Sequence, residues 1–205
     1  MKSSIVTLLN ASSATVFTYE LVGSGDKEKL MDICDKRTLY IEIVNDYIER
    51  SNLKFLKIKN NIFRNNLILI DSQLPEIVAW LLSDCFKRGE IKISKSIDNI
   101  TKVNPLGYDI SGNHGYYEHK IRSMLNSIAY GMIPIEPWNG KYDMSSSIMS
   151  KKSINIIDNN YSIEDYLFHN TKFETPENKR YNSGLIYKSD DKYYFDLVLQ
   201  IRFTN

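Results

Sequence analysis

The sequence predicts a mixed α+β domain, of the α/β class, in which a mixed sheet carries several helices and closes on a C-terminal β-hairpin. Three observations predict it. Residues 193–203, reading YYFDLVLQIRF, put Phe195, Leu197, Leu199, Ile201 and Phe203 on one side at period two. Tyr194, Asp196, Val198, Gln200 and Arg202 fall on the other, the pattern of a strand with one buried face. Residues 116–132 repeat apolar side chains three and four apart through Tyr117, Ile121, Met124, Leu125, Ile128 and Met132, the stripe of an amphipathic helix. Strand patterns stand at both ends of the chain with helical patterns between them.

From the N-terminus, residues 14–22 (ATVFTYELV) alternate as a strand, and Gly23-Ser24-Gly25-Asp26 ends it and supplies a helix cap. Residues 26–34 and 37–50 read as amphipathic helices, the second with Tyr40, Val44 and Ile48 in one stripe and Leu39, Ile43 and Tyr47 in its neighbour. Residues 53–59 alternate as a strand and lead to a short apolar stretch at 67–70. Pro75 suits the first turn of a helix running to about Lys87, with Gly89 as its stop. Residues 91–103 form a weaker helix or strand before Pro105 and Gly107, and Pro134 and Pro137 end the helix that starts at Tyr116. Trp138-Asn139-Gly140 is a turn, residues 148–157 a strand pair, and Ser162 and Asp165 open a short helix to Phe168. Residues 184–187 and 193–203 then pair as a hairpin around residues 188–192. No repeat or long linker interrupts the chain, so one domain over residues 1–205 is expected.

Composition narrows the function classes. With 42% hydrophobic and 25% charged residues, no apolar run approaches the roughly 20 needed to span a bilayer, so no membrane partner is expected. The faintly signal-like N-terminus is interrupted by Thr7 and Asn10, which favours a cytoplasmic location. Cys34 and Cys85 sit in helical patterns and read as free buried thiols. A net charge of +1 is no nucleic-acid signature, but residues 51–66 carry Lys54, Lys57, Lys59 and Arg64 with no acid. That run reads as a solvated strand face and loop, or as a local DNA contact.

His114, His119 and His169 match no metal motif, and neither a dinucleotide fingerprint, a P-loop nor a GxSxG elbow is present. Asp109 with Glu118-His119-Lys120 formally matches the Asp and Glu-x-Lys of metal-dependent nucleases. Those residues fall in the first turn of a helix, where side chains two apart diverge by roughly 200°, so the match reads as chance. Glu90-Ile91-Lys92 has no partner Asp at a suitable spacing. His119, Arg122 and Asn126 share the polar face of the same helix, either solvated or facing a nucleic acid.

Five ordered stretches resemble the HpaII family of type II restriction endonucleases. They are Thr7-Leu8-Leu9-Asn10-Ala11-Ser12, Asn104-Pro105-Leu106, Tyr116-Tyr117-Glu118-His119-Lys120-Ile121, Gly131-Met132-Ile133-Pro134 with Trp138, and Asp165-Tyr166-Leu167-Phe168 through Asn170-Thr171-Lys172 to Leu199-Gln200-Ile201-Arg202-Phe203. The resemblance implies a homo-oligomeric endonuclease that cuts double-stranded DNA at a CCGG-type site by metal-assisted phosphodiester hydrolysis, in a restriction-modification system with a cognate cytosine methyltransferase. It implies Mg2+ as cofactor, with ligands expected outside this chain. Arg122, Asn126, Arg180, Gln200 and Arg202 have the chemistry for DNA binding.

In the family, a catalytic Asp and a strand ending in Ile-Lys-Ser precede the Thr-Leu-Leu-Asn-Ala-Ser segment. Here Met1 stands six residues ahead of Thr7, that Asp is absent, and Lys2-Ser3 lies too close to Thr7 by the family's spacing. The expected glycine-rich stretch after Trp138 is Met144-Ser145-Ser146-Ser147. The expectation is therefore the C-terminal part of a restriction-endonuclease-like protein with an incomplete catalytic core and no assignable catalytic residue. The competing expectation is a catalytically inactive DNA-binding or oligomerisation remnant of such an enzyme, and apart from both stands an interaction protein unrelated to DNA.

Overall fold

The computed structural model describes residues 7–23, 25–34, 53–89, 92–112, 115–141, 160–176 and 181–204. The helix expected at 37–50 and the strand pair expected at 148–157 lie outside them. The described strands are β1 (Thr7–Leu9), β2 (Val16–Leu21), β3 (Leu53–Ile58), β4 (Thr171–Glu174), β5 (Ile186–Ser189), β6 (Lys192–Val198) and β7 (Gln200–Phe203). They pair in two sheets, β3-β2-β6-β5 and β1-β7-β4. Every named pairing is antiparallel, where a mixed sheet was expected.

The single strand expected over 193–203 is two strands that belong to different sheets. Leu199 is the joint: its N–H donates to the Thr15 carbonyl at 2.9 Å, and its side chain is fully buried. The chain crosses there because its antiparallel partner crosses at the same place. Residues 10–15 carry β1 into β2 through a short 3-10 turn. Its box is closed by the Ala14 N–H donating to Ser12 Oγ and the Ser12 N–H donating to Thr15 Oγ1, both at 3.2 Å. The β5–β6 hairpin forms where expected, with Asp190 and Asp191 at φ 47° and 60°, as a two-residue primed turn requires.

The described helices are α1 (Lys27–Cys34), α2 (Asn61–Ile70), α3 (Leu74–Arg88), α4 (Ile93–Val103), α5 (Tyr116–Ala129) and α6 (Asn160–Asn170). Asp26 caps α1 through the Lys29 N–H at 3.0 Å. Helix α2 replaces the expected loop. The Asn60 side chain accepts the Phe63 N–H at 3.0 Å, and Phe63 and Leu67, one turn apart, bury completely. Residues 93–103 resolve as a helix because Ile93, Ile97 and Ile100 fall on one buried stripe. Helix α5 stops at Ala129, not Met132. Gly131 at φ 110° lets the Met132 N–H return to Ser127 O and the Gly131 N–H to Ile128 O, a Schellman stop.

Helix α3 ties the sheets together. Tyr19 of β2 donates its hydroxyl to Ala79 O at 2.7 Å, Phe86 meets Phe195 of β6 at 5.2 Å between centroids, and the buried Cys85 thiol donates to Phe173 O of β4 at 3.1 Å. Two consequences are measurable by urea unfolding. Phe195→Ala empties a fully buried site and is expected to cost about 3–5 kcal/mol, whereas Leu69→Ala, at a side chain 56% exposed, should stay within about 0.5 kcal/mol. Burial raises the Tyr19 phenol well above its ordinary range. The folded state thus keeps a proton that the unfolded chain releases near pH 10, and stability should be lost as pH rises past that value. Tyr19→Phe should make that alkaline loss shallower.

Candidate functional site

Side chains on the non-core side of β6 and β7 alternate as Asp196, Val198, Gln200 and Arg202, and two ion-pair clusters form along this line. The first surrounds Asp196, which is 1% exposed although its position reads as an outward one. Thr18 Oγ1 of β2 donates to Asp196 Oδ1 at 2.8 Å, Lys59 Nζ reaches Oδ2 at 2.5 Å, and the Tyr187 hydroxyl of β5 donates to Oδ1 at 3.4 Å. The Lys59 ammonium also lies 5.6 Å from the Tyr187 ring centroid. Burial, and then the Asp196 charge, push the Tyr187 phenol up, so it remains a neutral donor at pH 7.

The second cluster lies on β4 and β7, where Lys172 pairs with Arg202 and Glu174 with Gln200 in the strand register. Glu174 is buried, and it holds Lys172 Nζ at 2.8 Å on Oε1 and Arg202 Nη1 at 2.7 Å on Oε2. Arg202 Nε is shielded from solvent and has no partner among the described residues. Thr7 of β1 lies across from Arg202 on the other side of β7.

The structure thus brings two of the five expected DNA-binding residues, Gln200 and Arg202, together on one strand. Arg122 and Asn126 sit elsewhere, between α5 and α6. Arg122 donates to Glu118 at 2.7 Å and to Asp165 at 3.1 Å, and its guanidinium lies 4.2 Å from the Phe168 ring centroid. Asn126 Nδ2 donates to Glu164 Oε1 at 2.5 Å. Base reading by either would require giving up those partners. Arg180 lies outside the described residues, as do His114, Lys2, Ser3, Glu90, Ile91 and residues 144–147.

The formal Asp and Glu-x-Lys set does not converge. Glu118 turns to Arg122 while Lys120 pairs with Asp71. Asp109 is exposed in a turn where Ser111 donates through both its hydroxyl and its N–H, which holds the carboxyl below the usual carboxylate range. Lys172 and Glu174 are the cluster residues that sequence reasoning assigned no role, and the partnership of Lys59 with Asp196 was not anticipated either. The available signal was the alternation of Lys172-Phe173-Glu174, a short strand hidden behind a helix.

A divalent cation needs several carboxylate or carbonyl oxygens with open lone pairs. Among the described residues no three His, Cys, Asp or Glu side chains gather in a way that could hold one. Asp196 and Glu174 each have both oxygens committed to donors, and a cation there would have to displace an ammonium or a guanidinium. The described residues therefore do not fit a metal site.

Two antiparallel sheets, a helix bridging them and a line of paired acids and bases on their closing strands make this a mixed α/β protein. The family model for the HpaII restriction endonuclease matches residues 2–203, and the chain belongs to that family. The type II restriction enzyme HpaII of Haemophilus parainfluenzae is 37% identical over 203 residues, which cover 96% of this chain and 56% of that enzyme. The chain thus spans about half the length of the curated relative it matches. No solved structure matches it. The resemblance carried by the five sequence stretches is borne out.

Among the described residues no helix is long and apolar enough to cross a membrane. The Asp196 cluster yields one stability prediction. Asp196→Ala strands the buried Thr18 hydroxyl and should lower the unfolding free energy by about 2–3 kcal/mol. Lys59 is 42% exposed, so water can replace its ammonium, and Lys59→Ala should cost only about 1 kcal/mol in the same urea titration.

Proposed function

We propose that this chain acts as a type II site-specific deoxyribonuclease that recognises a short CCGG-type duplex site and hydrolyses its phosphodiester bonds with magnesium. The observation that carries the reading is the family match over residues 2–203, nearly the whole chain. Hydrolysis of this kind uses a cation to activate water and to stabilise the leaving oxygen. Asp196 and Glu174 are committed to lysine and arginine, and no group of three possible ligands gathers among the described residues, so the proposal draws the cation ligands from outside them. A four-base palindrome suits two copies related by a twofold axis, which makes a homodimer the expected active form. The protein would work in the cytoplasm beside a cytosine methyltransferase that protects the host's own sites.

Recognition is assigned to Gln200 and Arg202. Among the described residues only Nη1 of the Arg202 guanidinium is committed, to Glu174, and the side chain is 25% exposed. An arginine fork fits the O6 and N7 atoms of guanine, and glutamine suits a base edge as donor and acceptor.

The test compares a CCGG duplex with a scrambled one, in EDTA and then with Mg2+. Preferential binding in EDTA and scission only after Mg2+ is added are expected. Arg202→Lys keeps a charge for Glu174 but loses the fork, so it should reduce the preference for CCGG by roughly tenfold or more while leaving the urea midpoint nearly unchanged. Equal affinity for both duplexes would sink the reading. Specific binding with no scission in any divalent cation would favour the inactive remnant instead.

A further inference from the structure

The basic run at residues 51–66 has no role in recognition as assigned above, and the structure gives it an arrangement that alternation does not. Strict period two would send Lys54 and Lys57 to opposite faces of β3. The register between β2 and β3 shifts between Thr18 and Tyr19, so Lys54 lies across from Glu20 and Lys57 across from Thr18. Glu20 and Thr18 are two apart on β2 and share its outer face, so the bulge turns both lysines outward together. Phe55 and Ile58 turn inward, Phe55 lying 6.0 Å from the Phe17 ring and Ile58 fully buried, and Leu56 is the extra residue at 39% exposure.

The outer face of this sheet is consequently cationic. Lys54 and Lys57 are exposed on the edge strand, Lys192 of β6 lies on the same face, and Lys59 follows directly after β3. The two facing carboxylates are already committed, Glu20 to Lys192 at 3.1 Å and Asp196 to Lys59. Among the described residues neither Lys54 nor Lys57 has an ion-pair partner. Arg64, exposed on the first turns of α2, continues the run and has none either.

We propose that the outer face of β3, centred on Lys54 and Lys57, binds the phosphate backbone of duplex DNA and adds sequence-independent affinity to the base reading of Gln200 and Arg202. This rests on the nuclease reading. The occupant follows from charge: unpaired ammonium groups aligned along a rigid strand suit a polyanion of regular charge spacing, and such contacts release counterions without reading bases. Among the described residues β3 is an edge strand of its sheet.

The test measures duplex affinity of the full chain against salt concentration, in EDTA, for CCGG and scrambled duplexes. The double variant Lys54→Ala/Lys57→Ala is compared with Lys95→Ala/Lys102→Ala, two exposed lysines of α4. The β3 pair should lower the slope of log affinity against log salt by about 1.8, some 0.9 for each lost phosphate contact, with the CCGG preference unchanged. The α4 pair should leave the slope as it is. An unchanged slope in the β3 variant overturns the proposal while the nuclease reading stands, and so does a loss of CCGG preference in that variant, which would make the lysines base readers. A lowered slope with no CCGG preference even in the unaltered chain supports the surface and removes the nuclease reading. Failure of the unaltered chain to bind duplex at low salt overturns both.

Discussion

The middle of the C-terminal strand pair, residues 195–199, is buried on both faces, and the rest of the architecture accommodates that constraint. Phe195, Leu197, Leu199 and Ile201 are fully buried on one side, and Asp196 and Val198 are no more than 1% exposed on the other. A strand with only one apolar face can be covered that way only if its polar positions find partners inside the protein. Asp196 does so through Thr18, Tyr187 and Lys59, which come from β2, β5 and the end of β3, so one carboxylate draws three neighbouring segments of a sheet together. The crossing at Leu199 then hands the chain to the second sheet, where Glu174 performs the equivalent service for Lys172 and Arg202.

This pairing shapes what the face can do. A metal ion entering at Glu174 would have to displace Lys172 or Arg202, and one entering at Asp196 would have to displace Lys59, so both carboxylates are poor candidates to exchange their partners for a metal ion. They are good candidates to hold basic side chains in fixed positions. Arg202 is anchored through one nitrogen, which limits the rotamer freedom it would lose on meeting a ligand. The lysines of β3 are free of such anchors and face outward by virtue of a bulge, so the two kinds of cation suit two kinds of contact: one oriented, one merely electrostatic.

Helix and strand existence was legible wherever the periodicity was clean. Residues 116–132 and 75–87 show unambiguous apolar stripes and formed α5 and α3, and the β5–β6 hairpin followed from its turn residues. Two elements were hidden by composition. Helix α2 carries three asparagines and three β-branched isoleucines, which argue weakly for a helix, and it forms because Phe63 and Leu67 bury against the core. Strand β4 follows α6 without a single intervening residue, so no turn signal separates the two.

By itself the sequence determined the family, the class of the fold, the main helices and the polar line of Asp196, Gln200 and Arg202, because ordered motifs and side-chain periodicity are local properties of the chain. Only the tertiary structure decided that residues 193–203 divide between two sheets, that Arg122 and Asn126 face acids across a helix pair, and that Lys54 and Lys57 share a face. Each of these depends on which segment lies opposite in space. A partner strand that turns at residues 10–15, an acid on α6 and a register shift against β2 are invisible to any pattern read along one stretch of chain.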